Sequence, residues 1–526
     1  MSESATKESE VLAIDVQDLV LLAGGRTLLD RASMTVARGE VVLLVGLSGT
    51  GKSLTLRLLL DLLDREDPAF DVSGDIRIFG QPVHKAARER AGIVFQDFGL
   101  FDEWDARENI GFGLDHRRSK SETPRAAAIN ELIDGFDLNH AGRVATLSGG
   151  MKQRCALART LAFHPDLIIY DEPTSGLDPA MSTRVAERIR KTNDEFQKTS
   201  LVVTHDLAAL AGIANRILLL DPVAKSFREV PPDRVELTLD ELRCADIKEP
   251  NPPRAASVAA RLENWMVASA QVLEAAFRTL WALLPRWPRM RWGLRYLLYY
   301  LRLTSLGSAL VYVGISGFIL GLIVTYFTFS FLPFKQYTEP LLIDRIISAI
   351  GFGLYRIMVP GMTAMLVAAR SGAAIAADIG NRVYSRQTDA LRSFGVAPER
   401  YLFTNLLWAQ LLGMPLLIAV NFLCARAASL LVFVIIHSEY STWFWAAEFN
   451  RFLGAGDSWF YAGTGWLVAK SLVSALGVGA IAWFQGLSPK ESGRDIATAV
   501  TRTIIWGTLF VLCVQLVSAL CEFDPL

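Results

Sequence analysis

Five apolar stretches crowd the second half of this chain, near residues 305–333, 345–370, 401–436, 466–486 and 499–521. Each is long enough to cross a bilayer, which takes about 20 mainly apolar residues, so the second half reads as an all-α polytopic membrane domain. The first two hundred residues instead alternate charged and apolar stretches as a soluble domain does. The 51% hydrophobic composition of the 526-residue chain is therefore an average over two unlike halves, and at this length at least two folding units are expected. A formal net charge of −1 gives no global reason to expect nucleic acid. The five cysteines, Cys155, Cys244, Cys424, Cys513 and Cys521, show no CxxC spacing, which argues against a zinc site or a disulfide framework. The N-terminus, MSESATKESE, is polar and acidic. With no basic segment followed by an apolar run, the first unit is expected to stay in the cytoplasm.

Charge bias orients the spans. Arg370, Arg382, Arg386, Arg392 and Arg400 flank the connection after the second stretch, and Lys490, Arg494 and Arg502 flank the one after the fourth. The connections after the first and third carry few basic residues, and 437–465 holds Glu439, Glu448 and Asp457. Residues 371–400 and 487–498 are thereby expected in the cytoplasm, a topology that agrees with a cytoplasmic first unit and an odd number of spans. Between the halves, a tract at 231–256 is broken by Pro231, Pro232, Pro250, Pro252 and Pro253 and reads as a linker. Residues 257–303 mix Arg with Trp and Tyr in PRWPRMRWGLRYLLYYLR, a pattern suited to helices lying in the headgroup layer. The boundaries expected are thus 1–230, 231–256, 257–303 and 304–526.

In the first unit, the apolar run VLLVG ends in Gly46-Leu-Ser-Gly-Thr-Gly-Lys-Ser53, which fits G-x-x-x-x-G-K-[ST] directly after an expected strand. Backbone N–H groups of such a loop surround phosphate at a helix N-terminus, the lysine reaches the β/γ oxygens, and the serine binds Mg²⁺. Gly46, Ser48, Gly49, Thr50, Gly51, Lys52, Ser53 and Leu54 are accordingly the candidate ATP contacts. A second apolar run ends in Asp171-Glu172. Asp171 is expected to hold Mg²⁺ and Glu172 to act as general base on the attacking water, at the carboxyl edge where open α/β sheets bind ligands. Strand and helix patterns alternate to about residue 222, which gives an α/β P-loop fold.

With those motifs, residues 12–222 resemble the ABC ATPase family. Leu147-Ser148-Gly149-Gly150-Met151-Lys152-Gln153-Arg154 is similar to its signature motif. The resemblance implies that Ser148, Gly149 and Gly150 contact ATP held by a second copy of the chain. It also implies that Gln96 is the Q-loop residue sensing Mg²⁺ and facing the permease. Ser175-Gly176-Leu177-Asp178 matches the D-loop, and His205 the switch histidine. In one respect the chain departs from the family: the aromatic residue that stacks on adenine some two dozen positions before the P-loop is replaced by the aliphatic stretch Asp18-Leu-Val-Leu-Leu-Ala-Gly24.

Residues 359–400 resemble the MlaE-type permease of the Mla and MCE-associated lipid-transport systems. Ala369-Arg370-Ser371-Gly372, Asp378-Ile379-Gly380, Gln387-Thr388-Asp389-Ala390-Leu391 and Val396-Ala397-Pro398 carry the match. Two positions depart: Ile357-Met358-Val359-Pro360 stands where Glu-Leu-Gly-Pro is usual, and Arg386 where the family has Glu. The small residues 371–377 suit close helix packing, whereas the polar stretch 381–399 matches the family's coupling element. The resemblance implies an ATP-driven lipid transporter, a homodimer in a bacterial inner membrane with phospholipid cargo and an MCE-domain partner. The competing readings are an exporter of another amphipathic substrate, whose usual permease has six helices per half, and a regulatory membrane ATPase that switches rather than pumps.

Overall fold

A computed structural model describes residues 12–47, 49–63, 70–117, 123–139, 141–176, 179–244, 274–331, 335–454 and 460–523. Ser48, Leu177, Asp178 and residues 245–273 lie outside them. The chain divides into two compact units, Met1–Ala255 with Ser385–Ala397, and Ala256–Tyr384 with Pro398–Leu526.

In the first unit, β3 (Val41–Val45), β6 (Ala91–Val94), β7 (Leu167–Asp171), β8 (Thr199–Val203), β9 (Arg216–Asp221) and β10 (Ser226–Glu229) form one sheet in the order β10-β9-β3-β8-β7-β6. All its pairings are parallel except β10 on β9. Strands β3 and β8 are buried at every residue, the near-continuous apolar pattern that a sheet covered on both faces requires. Successive residues of β3 enter different cores: Val42 and Leu44 join one, Leu43 and Val45 the other. The first core is shared with an antiparallel sheet of β1 (Ile14–Ala23), β2 (Arg26–Val36), β4 (Phe70–Ile78) and β5 (Gln81–Pro82), ordered β2-β1-β4-β5. The second core includes residues of helices Ala106–His116 and Gly149–Ala162. The tract read as a linker from residue 231 opens instead with helix Val235–Cys244, whose Val235 is buried in the second core.

Among the described residues the second unit has five helices long and apolar enough to cross a membrane, Met290–Ser330, Leu341–Tyr384, Glu399–Ile436, Thr464–Leu487 and Gly493–Glu522. The first is interrupted between Thr304 and Ser308. Its leading segment, Met290–Thr304, buries Trp292, Tyr296 and Tyr300 and exposes Met290, Leu294 and Leu298, so its aromatic and aliphatic faces are divided. Gly317 and Gly321, spaced as G-x-x-x-G, let helix Ser308–Ser330 close against Asn421 and Ala425 of the third span. A hydrogen bond from Thr325 to Ser429 (2.8 Å) ties the same two helices together, and one from Asn421 to Thr363 (2.7 Å) ties the third span to the second, where lipid offers no partner.

The second span does not end near 370, as the hydropathy suggests. It continues helically to Tyr384, through π-helical turns at Leu354–Met358 and Ala368–Gly372. The alanine-rich run 373–377 is strongly helix-forming. Gly372 and Gly380 admit neighbours so close that a Cβ there would stand 3.3 Å from Val478 and 3.4 Å from Ile496. The small-residue run is therefore helix packing rather than connection. A buried ion cluster joins three spans, Arg356 Nε to Glu522 at 2.7 Å and Lys470 Nζ to Glu522 at 3.2 Å.

Candidate nucleotide site

Strand order assembles the site. In space β3, β8, β7 and β6 are consecutive neighbours, and all four run the same way. Their carboxyl ends deliver, side by side, the P-loop after Val45, His205 after β8, Asp171-Glu172 at the end of β7, and Gln96 after β6. Four motifs scattered over 160 residues of sequence thus meet at one sheet edge, as the topology of open parallel sheets dictates.

At the P-loop, Gly49 (φ 79°) and Gly51 (φ 102°) occupy left-handed backbone that only glycine adopts without strain. Gly51 caps the helix Lys52–Leu59, so the free N–H groups of that helix point out of the loop. Lys52 is 8% exposed and donates to the carbonyls of Gly46 and Leu47, both at 2.8 Å. Burial pushes its ammonium below the ordinary lysine range, against the pull of Glu172 and Asp171. Thr50 donates to Leu47 O at 2.9 Å, which closes the loop on itself. Ser53 is exposed, and Leu54 is half-buried against the first core.

Facing this cation stand two adjacent carboxylates. Glu172 sits at φ 46°, a left-handed turn for a non-glycine residue, and its N–H is held by Val203 O at 2.9 Å. That strained turn, of order 1–3 kcal/mol, is the kind stored at functional sites. Glu172 Oε2 lies 3.3 Å from Nδ1 of His205, whose side chain is 61% exposed. Gln96 donates to Ser175 Oγ of the D-loop at 3.2 Å. Burial and then the neighbouring Glu172 push the Asp171 carboxyl up to about 6. Two crowded acids of this kind fit a divalent cation, which would relieve both causes. Mg²⁺ needs only one or two carboxylates when phosphate oxygens complete its shell, and Ser53, Asp171 and Gln96 are the residues that would hold it.

The same crowding has a measurable consequence. Because the folded carboxyl titrates near 6, above its unfolded value of 3.8, the stability linked to it is full below the unfolded value and lost as pH rises through about 6. Nucleotide-free Asp171→Asn is therefore expected to be more stable than the parent at pH 7.5. The gain is of order 3 kcal/mol at about 1.4 kcal/mol per pH unit, and it should vanish near pH 4. Thermal unfolding at both values checks this; an equal shift at both would contradict it.

The signature loop stands apart. Ser148 and Gly149 are exposed, and Ser148 Oγ accepts from Met151 N at 3.4 Å as the N-cap of helix Gly149–Ala162. Among the described residues no hydrogen bond or ion pair joins residues 148–150 to residues 46–53. A cavity of about 270 Å³ lies beside this helix, lined by Gly150, Arg154, Tyr170, Arg184 and Arg188 among others, and neither the P-loop nor Glu172 borders it.

Residues Ser385–Ala397, which join the second and third spans in sequence, belong to the first compact unit. They contain the helix Gln387–Ser393, entered through Arg386 at φ 58°. Ala390 is buried in the first core. Phe394 packs edge-on against Phe112 and Phe163, at 5.8 and 5.3 Å between ring centroids. Gln387 donates to Asp102 Oδ2 at 3.1 Å, and Asp389 Oδ2 receives Nη2 of Arg57 at 2.9 Å. Gly99, three residues beyond Gln96, makes the approach possible: a Cβ there would stand 3.3 Å from Ala390 and 3.4 Å from Arg386 O. Sequence reasoning singled out Asp389 but missed Arg57, Asp102 and Gly99, for no local sequence pattern marks their contact with residues 385–397.

Comparison with known proteins agrees with both halves. The ABC transporter family matches residues 29–175, and the Permease MlaE family matches residues 302–521. The sulfate/thiosulfate import ATP-binding protein CysA 2 of Chromobacterium violaceum is 36% identical over 214 residues, 40% of this chain and 56% of that protein. The methionine import ATP-binding protein MetN of Corynebacterium efficiens is 36% identical over 197 residues, 37% of this chain and 54% of that protein. The chain thus spans little more than half the length of these relatives. Among solved structures, the dimeric post-hydrolysis state of the ATP-binding cassette MJ0796 bound to ADP and Pi shares 28% identity at a TM-score of 0.36, covering 42% of this chain and 98% of that one. Residues 29–175 are an ABC transporter ATPase domain and residues 302–521 a MlaE permease domain, so this chain is a fusion of the two domains.

Proposed function

We propose that the chain hydrolyses ATP to move lipid, a phospholipid or a close relative, across or out of a bacterial inner membrane. It works as a homodimer alongside an MCE-domain partner. The observation that carries this reading is a single helix. Lys52–Leu59 begins with the phosphate-binding lysine and, in its last turn, holds Arg57 paired to Asp389 of the segment between the second and third spans. A movement of the P-loop helix on ATP binding therefore reaches the permease sequence without an intervening loop.

In this reading Lys52 and the N–H groups at the start of helix Lys52–Leu59 bind the phosphates. Ser53, Asp171 and Gln96 would hold Mg²⁺, which would supply charge neutralisation for the phosphates. Glu172 accepts the proton of the attacking water, with His205 beside it positioned to contact the γ-phosphate. The exposed Ser148–Gly150 loop closes on the nucleotide of a second copy, which makes each site composite. Lipid as cargo rests on the MlaE permease match and on the resemblance of residues 359–400. Mass spectrometry of lipid retained by the purified protein tests it: stoichiometric phospholipid is expected, and a preparation empty of lipid yet active on a soluble cargo would contradict it.

The Arg57–Asp389 pair gives a sharper test. Its side chains are 33% and 11% exposed, so it is stronger than an open surface pair and weaker than a buried one. Asp389→Lys should uncouple ATP turnover from cargo, a loss of about 5- to 150-fold in cargo dependence at the usual 1–3 kcal/mol between coupled sites. Basal turnover should persist. The reversed pair Arg57→Asp with Asp389→Arg should recover part of the coupling. Wild-type coupling in the single variants would remove the pair from the pathway.

A further inference from the structure

From Ala275 to Thr304 the chain carries six arginines and no aspartate or glutamate, a dense local excess of positive charge on a chain whose net charge is −1. Arg278 is paired with Glu274 at 2.6 Å. Arg286, Arg291 and Arg302 are exposed and make no ion pair among the described residues. Helix geometry sorts the tract into three faces. On Met290–Thr304, Trp292, Tyr296 and Tyr300 are buried against protein, while Met290, Leu294 and Leu298, four residues apart, form an exposed aliphatic stripe. Arg291, Arg295 and Arg302 stand at i, i+4 and i+11, which at about 100° per residue is a single edge bordering that stripe. The guanidinium carbons of Arg291 and Arg295 each lie 5.7 Å from the centre of the Trp292 ring. Ahead of this helix, helical residues 274–282 expose Phe277, Leu280 and Trp281, and Arg286 Cζ stands 4.1 Å from the centre of the Trp281 ring. An exposed apolar stripe edged by arginines is the pattern of a helix lying in the plane of a bilayer surface. Zwitterionic headgroups would satisfy the stripe, but so many arginines without acids call for headgroups of net negative charge.

The same helix grips the second span. Tyr299 Oη donates to Asp378 at 2.6 Å and Tyr300 Oη at 3.2 Å, and Arg382 Nε reaches the same carboxylate at 2.9 Å. Asp378 lies in helix Ala373–Tyr384, whose chain runs on into residues 385–397.

We propose that residues 274–304 dock on the anionic lipid of the cytoplasmic leaflet, and that this contact raises ATP turnover by holding Asp378 through Tyr299. The lipid in question is the surrounding membrane and not the cargo. The inference rests on the reading of the second half as a membrane domain and of the first as its ATPase.

The test measures ATP turnover of the full chain in nanodiscs of phosphatidylcholine with a rising share of phosphatidylglycerol. Wild-type turnover should rise with that share, and the rise should shrink at high salt as surface charge is screened. Arg286→Gln, Arg291→Gln and Arg302→Gln together should lower affinity for the anionic surface, by about fivefold for each arginine removed, so that more phosphatidylglycerol is needed for the same turnover. The same three positions changed to Lys should respond as the wild type does. Arg345→Gln, which removes an exposed arginine from the opposite end of the second span, is the control and should change nothing. Tyr299→Phe should keep the turnover seen in phosphatidylcholine alone and lose the rise. A wild type equally active with and without phosphatidylglycerol would overturn the proposal. So would an unchanged response in the Gln variant, which would assign the lipid effect to cargo. A full response in Tyr299→Phe would overturn the link through Asp378. A wild type with no ATP turnover in any nanodisc would instead overturn the ATPase reading.

Discussion

Glu172→Gln is expected to lower ATP turnover by about 10²–10⁴-fold, the contribution of general-base assistance, while ATP still binds. The substitution keeps the size of the side chain and a polar group 3.3 Å from His205. It also keeps the left-handed turn at φ 46°, which glutamine meets at the same cost as glutamate. What it removes is the ability to accept a proton. Lys52→Ala should act differently: it deletes the buried cation that the loop carbonyls of Gly46 and Leu47 now hold, and so weakens nucleotide binding itself. Steady-state phosphate release and ATP binding, measured on the same preparations, separate the two effects. Near-normal release from Glu172→Gln would take Glu172 out of the base role.

Complementation between two inactive subunits is the second large effect. A homodimer of Lys52→Ala has no competent P-loop, and one of Ser148→Arg has no competent signature loop, so both should be inactive. In a mixed dimer the two lesions fall in the same composite site if Ser148 acts on the partner's nucleotide. The other site then combines an intact P-loop with an intact signature loop, and turnover returns. The exposure of Ser148 and Gly149, with no bond among the described residues from them to the P-loop of their own chain, makes this the expected outcome. Co-expression with two affinity tags isolates the mixed species. A mixed dimer as inactive as its parents would contradict pairing across the subunit boundary.

These expectations rest on features of unequal visibility in the sequence. The strand ends were legible because each joins an apolar run to a short motif whose residue types have one chemical use. VVLLV before the P-loop and LIIY before Asp171-Glu172 are of this kind, and the parallel sheet brings their ends together. The antiparallel sheet was less so. The pairing of β1 with β2 shifts register between Val16 and Leu19 and again between Leu19 and Leu21. Such irregularities, with Asp18 and Arg31 both near φ 48°, blur the alternation on which strand reading depends. Hydropathy ended the second span early because Arg370 and Asp378 interrupt the apolar run. The helix tolerates them: Asp378 is held by Tyr299 at 2.6 Å and by Arg382 at 2.9 Å. For residues 385–397 the polar composition was evident and the burial was not. Asp389 meets a partner 332 residues away, and no local pattern encodes a contact at that separation.

The proposed function has hydrolysis at Glu172 drive lipid through the permease half. It is tested most directly by lipid transfer and ATP turnover measured together, with the wild-type chain and Glu172→Gln reconstituted into the same fluorescent-phospholipid liposomes. ATP-dependent transfer is expected from the wild type, and from Glu172→Gln a fall in transfer that follows the fall in turnover. ATP-dependent transfer that survives in Glu172→Gln while its turnover is lost would contradict it, as would robust turnover by the wild type with no lipid moved.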